Sequence, residues 1–208
     1  MAKLLTEFIG TFFLVLTVGL TAASGTEFAP LAIGGALMVM VYMGGHISGG
    51  HYNPAVSLGV WLRGKLTAKD FVTYFVTQLL GAAVAALAVN VIAGQAFTLE
   101  PGLGSTKLGA FLAESLFTFA LVLVVLQTAT SEKTAGNSYY GLAIGFTITV
   151  AAFAGGPISG GAFNPAVGVG PILVNLLLGG GSFADAWLYL AGPLLGGVVA
   201  AGVFKLQE

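Results

Sequence analysis

Two asparagines, Asn53 and Asn164, carry the most suggestive chemistry in this sequence. Each heads an Asn-Pro-Ala tripeptide, Asn53-Pro54-Ala55 and Asn164-Pro165-Ala166. A carboxamide offers two N–H donors and one carbonyl acceptor. That suits the binding of a neutral, hydrogen-bonding molecule better than bond making. The rest of the chemical inventory is thin: two histidines, His46 and His51, a few scattered acids and no cysteine. No nucleophile–base pair or metal cluster can be assembled from them, and no glycine run leads into Gly-Lys-Ser/Thr. The chain is not expected to be an enzyme, and no cofactor or metal is expected.

The tripeptides lie in a longer repetition. Residues 44–59 read GGHISGGHYNPAVSLG and residues 155–170 read GGPISGGAFNPAVGVG, 11 identities in 16 positions at a fixed offset of 111. A second echo runs from Glu7-Phe8-Ile9-Gly10-Thr11-Phe12-Phe13-Leu14-Val15 to Glu114-Ser115-Leu116-Phe117-Thr118-Phe119-Ala120-Leu121-Val122. The chain therefore divides into two homologous halves, 1–105 and 106–208. The apolar run Phe8–Ala23 could pass for a signal peptide, but its echo at Glu114 places it in the mature fold.

The elements that must position these residues follow from composition. The chain is 57% hydrophobic and only 7% charged, with mean hydropathy +0.97, whereas a soluble domain is about a quarter charged. So few charges cannot cover a water-facing surface, and an all-α membrane protein is expected. Seven Lys and Arg with net charge −1 and no basic patch exclude nucleic-acid binding. Six segments reach the roughly 20 residues that a spanning helix needs, near 3–23, 30–50, 69–93, 106–128, 137–157 and 183–205. Two shorter apolar pieces, 53–62 and 164–174, read as re-entrant half-helices. Each half thus holds three spans and one half-helix. Arg63, Lys65 and Lys69 cluster after the first half-helix, which makes that side cytoplasmic. Lys3, Lys133, Lys205 and both termini then fall on the same side, and only Lys107 lies outside. Three spans per half invert the second half relative to the first, giving inverted repeats.

Asparagine is a strong N-cap and proline is favoured at the first helical position, so each tripeptide starts its half-helix. Entering from opposite faces, the half-helices meet N-terminus to N-terminus at the midplane, where their positive dipole ends converge. Converging positive ends repel cations, and no Lys or Arg lies in either motif core to hold an anion. The stretches before the caps, Gly49-Gly50-His51-Tyr52 and Gly160-Gly161-Ala162-Phe163, can turn carbonyls toward a lumen. Donors at the middle and acceptors along the path make a ladder for small neutral molecules. No charged pair along the spans offers energy coupling, so a passive channel is expected.

With Gly45-His46-Ile47-Ser48-Gly49-Gly50-His51-Tyr52-Asn53-Pro54-Ala55-Val56, the second Asn164-Pro165-Ala166 and the paired Glu7 and Glu114, the sequence resembles the major intrinsic protein family, the aquaporins and aquaglyceroporins. The resemblance covers almost the whole chain. It implies six membrane helices plus two half-helices in inverted repeats, a homotetramer with one pore per subunit in the plasma (inner) membrane, and water or small neutral solutes as permeants. It implies that Glu7 and Glu114 accept hydrogen bonds from the re-entrant loops and brace them, with His46 as a related support. His51 is expected to offer a carbonyl to the lumen in preference to a titrating ring.

One departure stands out. Most family members place an arginine after the second Asn-Pro-Ala, and this chain has Val167. Aligned by distance from the motifs, the family's constriction falls on Ile33, Ala152, Gly161 and Val167, a ring with no charge and no aromatic. Such a ring is expected to be wide unless Phe153, Phe163 or Tyr42 swings inward to refill it; an apolar ring that is narrow enough closes by dewetting. The leading expectation is a channel for water and small uncharged solutes with a wide apolar filter. A facilitator mainly for ammonia, urea, glycerol or dissolved gas is the first alternative, and a non-conducting structural membrane protein the second.

Overall fold

The computed structural model describes residues 1–208. Six helices are long and apolar enough to cross a membrane: α1 (Ala2–Ser24), α2 (Ala29–Ser48), α4 (Ala68–Ala93), α5 (Lys107–Val125, extended to Thr130 by a π-helical turn over Leu126–Thr130), α6 (Tyr140–Ser159) and α8 (Ala186–Gln207). Two shorter helices, α3 (Pro54–Leu62) and α7 (Pro165–Leu177), complete the chain. There is no strand. The molecule is an all-α, multi-pass membrane protein.

The ends of the long helices have local causes. α2 stops at Ser48 because Gly49 and Gly50 take φ of 96° and 63°, left-handed values that glycine adopts without steric cost. α6 stops at Ser159 in the same way, before Gly160 at 91° and Gly161 at 75°. α8 begins at Ala186, three residues later than the sequence predicted, after glycine-rich turns around 179–185.

Packing repeats between the two halves. α1 lies against α4 and α2, and α5 lies against α8 and α6, while α2 and α6 pack together across the middle. Glycine sets the close approaches. A Cβ on Gly81 of α4 would stand 2.7 Å from the Phe8 carbonyl oxygen of α1, and one on Gly196 of α8 would stand 2.7 Å from the Phe119 nitrogen of α5. Small residues at such crossings let backbones touch.

The few charges mark the two ends of the bundle. Arg63 pairs with Glu208 at 2.9 Å and Lys65 with Glu132 at 3.2 Å. The end of α3, the C-terminus and the α5–α6 connection therefore share one face. Lys107 and Asp185, at the starts of α5 and α8, pair at 2.7 Å on the other.

Candidate functional site

Asn53 caps α3, and its side-chain carbonyl accepts from the Ala55 N–H at 2.8 Å. Asn164 caps α7 in the same way through the Ala166 N–H at 2.9 Å. Pro54 and Pro165 occupy the first helical positions, where no N–H is missed. Each Asn amide then reaches across to the other half. Asn53 Nδ2 donates to the Phe163 carbonyl at 2.9 Å, and Asn164 Nδ2 donates to the Tyr52 carbonyl at 2.9 Å. The two half-helices thus meet at their N-termini in the interior, held by a reciprocal pair of bonds. Each Nδ2 has a second hydrogen, and both asparagines border the same lumen.

The loops before the caps are held by two buried carboxylates. Glu7 accepts from the Ser48 hydroxyl at 2.7 Å, the His51 N–H at 3.0 Å, the Tyr52 N–H at 2.7 Å and Gln78 Nε2 at 2.8 Å. Glu114 accepts from the Ser159 hydroxyl at 2.7 Å, the Ala162 N–H at 2.9 Å and the Phe163 N–H at 2.6 Å. Both are fully buried, and these donors satisfy oxygens that no solvent reaches. The bonds also fix an unusual backbone: Tyr52 and Phe163 have φ of 50° and 48°, uncommon for any residue but glycine. The strain sits immediately before each cap and aims the two carbonyls at the opposing amides. His46 stands exposed on the last turn of α2, bordering a cavity of about 550 Å³ on the termini face.

The lumen is lined by residues from both halves, and they pair by the repeat. Asn53 matches Asn164, Val56 matches Val167 and Gly50 matches Gly161. Ile33 and Leu37 of α2 match Ile144 and Ile148 of α6, while Leu14 and Val18 of α1 match Leu121 and Val125 of α5. Two pairs differ in type: Leu37 against Ile148, which are equal in size, and His51 against Ala162, which are not. The enclosed cavity is about 20 Å³, where one water needs roughly 10–15 Å³. Leu14, Leu37, Leu121 and Ile148 are among the side chains that line it. Sequence reasoning missed them because their helices are apolar on every side, and a helix of that kind shows no face.

Of the aligned constriction, Ile33, Gly161 and Val167 border the lumen. Ala152 lies half-buried one turn beyond Ile148 on α6 and does not. No aromatic refills the ring. Tyr42 is exposed and bonds the Ser138 carbonyl, Phe153 is exposed, and Phe163 is buried edge-on against Phe117. Among the expected lumen carbonyls, those of Tyr52 and Phe163 are engaged by the asparagines. Gly50, His51 and Ala162 border the lumen, whereas Gly49 borders the termini-face cavity and Gly160 packs beside Glu100.

The major intrinsic protein family model matches residues 1–204. The chain belongs to the major intrinsic protein family. It is 38% identical over 193 residues to Aquaporin TIP1-1 of Arabidopsis thaliana, covering 90% of this chain and 74% of that protein. It is 35% identical over 216 residues to Glycerol uptake facilitator protein-like 6 of Lactiplantibacillus plantarum, covering 97% and 95%. The crystal structure of the aquaglyceroporin from Plasmodium falciparum superposes with a TM-score of 0.88 at 25% identity, covering 98% of this chain and 95% of that one. Within this major intrinsic protein, a further chain of polar groups escaped sequence reasoning. His51 Nδ1 lies 3.0 Å from Ser57 Oγ, to which Gln78 Nε2 donates at 3.1 Å on its way to Glu7. The second half has Ala162, Gly168 and Pro193 at the matching places and no such chain. Only a comparison of the two halves position by position would have exposed it.

Proposed function

We propose that this protein is a passive channel for water and small uncharged solutes. The observation that carries the reading is the reciprocal pair Asn53 and Asn164, each with a spare amide hydrogen, at the waist of a narrow apolar lumen. An apolar wall holds water weakly, and the amides with converging helix dipoles offer hydrogen bonds at the one place where the file is most exposed to a cation barrier. The residues 1–105 and 106–208 act as inverted repeats, a reading supported by the pairing of the lumen residues across the two halves. Ile33, Gly161 and Val167 form an uncharged outer filter, Ala152 of the aligned set does not reach the lumen, and Gly161 leaves that ring broad. The position of Arg63, Lys65 and Lys69 on the termini face supports a cytoplasmic location for both termini in the plasma membrane. Family membership supports a homotetramer with one pore per subunit.

A second reading has its own support. The absence of any charge or aromatic in the outer ring favours passage of ammonia, urea, glycerol or dissolved gas, with water incidental. Reconstitution decides between them. Vesicles carrying the protein are expected to shrink faster than protein-free vesicles under a sucrose gradient, and to admit urea more slowly than water. Urea or glycerol entry that outpaces water selects the second reading. Shrinkage no faster than lipid alone, with the bundle folded, makes the protein a structural one.

A further inference from the structure

We propose that the size filter of this pore lies in its termini-side half, at Val56, Ile144 and His51, and not at the outer ring where the family alignment puts it. The inference rests on the channel reading above.

Position along the pore follows from helix direction. α3 leaves the waist toward the termini face, so Val56, one turn after Asn53, lies on that side. α6 starts on the termini face, which puts Ile144 there, with Ile148 nearer the waist. The repeat relates these residues to the outer set: Val56 to Val167, Ile144 to Ile33, Gly50 to Gly161. Those three pairs are identical in residue type, and so is Val125 with Val18. They therefore narrow the two halves equally.

The remaining lumen pair does not. The mate of Ala162 is His51, and both border the lumen. The His51 ring is fixed by Ser57 at 3.0 Å and by the Tyr74 ring, with centroids 5.3 Å apart. The difference adds bulk on the termini side. A histidine with a fixed ring stands where the outer half has a single methyl group, so the termini-side ring is the tighter of two constrictions in series. Flux of a solute larger than water is set by the higher of two serial barriers, and relaxing the lower one changes little.

Four single variants test this in proteoliposomes at matched protein content: Val56→Ala and Ile144→Val on the inner side, Val167→Ala and Ile33→Val on the outer. Water and urea permeability are read by stopped-flow light scattering. The inner variants are expected to raise urea permeability relative to water about fivefold, equivalent to roughly 1 kcal/mol off the entry barrier. The outer variants are expected to raise it less than about twofold on the same scale. A larger rise from Val167→Ala or Ile33→Val than from the inner pair overturns the proposal, as does an equal rise from both. If Val56→Ala carries no water flux, the comparison of Ile144→Val, which removes a single methyl, with Ile33→Val decides the matter. A parent that moves no water above protein-free vesicles fails the channel reading itself, a result distinct from any ordering of the variants.

Discussion

Glu7 and Glu114 perform one task with different neighbours. Each accepts the two backbone N–H groups that precede its half-helix, and each has a serine hydroxyl as a third donor. Replacing either by Gln turns one acceptor into a donor that faces a backbone N–H, and a buried polar group left unmatched costs about 1–3 kcal/mol. The first half has a way to recover part of this. Gln78 Oε1 is buried without a partner, while its Nε2 bonds Glu7. A flip of the Gln78 amide presents that oxygen to the new amide donor in Glu7→Gln. Glu114 has Pro193 in the matching place and no such relief. Glu114→Gln is therefore expected to lower the thermal midpoint of the detergent-solubilised protein more than Glu7→Gln does. Fluorescence-detected gel filtration after heating measures both, and the reverse order speaks against relief by Gln78.

At the scale of elements, glycine decides how the bundle closes. Gly81 brings α4 onto the α1 backbone, and a methyl there would press on the Phe8 carbonyl. Gly202 on α8 has open space around the same position. Gly81→Ala is expected to cut folded yield sharply. Gly202→Ala gains up to about 1 kcal/mol of helix propensity and is expected to be neutral or mildly stabilising. Equal losses in both would show that close helix approach is not what Gly81 provides. The same elements show what sequence can reveal. The half-helix starts were legible because Asn and Pro are specific for caps, and the six spans because apolar length is a strong signal. The starts of α3 and α7 were each placed within one residue of Pro54 and Pro165. The π-helical turn at Leu126–Thr130 was not legible, since no residue type marks it. Thr134 and Asn137 tie it down by bonding the Gln127 and Thr128 carbonyls, contacts made across a connection whose path sequence does not specify. The left-handed backbone at Tyr52 and Phe163 was equally hidden, because aromatic residues give no hint of positive φ and the strain is held by carboxylates far away in sequence.

At the scale of the whole molecule, the two halves cross-link at their centre and differ toward one end. Asn53 bonds the second half and Asn164 bonds the first, so neither half completes the waist alone. The polar chain from Glu7 through Gln78 and Ser57 to His51 belongs to the first half only. The waist is thus symmetric in chemistry while the walls are not, which fits a pore that treats a molecule alike in both directions at its centre and sieves it on one side. On the channel reading proposed above, the two spare amide hydrogens serve one permeant at a time. An experimental map that resolves lumen waters tests it most directly. A water is expected within hydrogen-bond distance of both Asn53 Nδ2 and Asn164 Nδ2, with further waters in single file on either side. A dry waist, or a water bound to one amide while the other stays turned wholly into its own carbonyl contact, would contradict it.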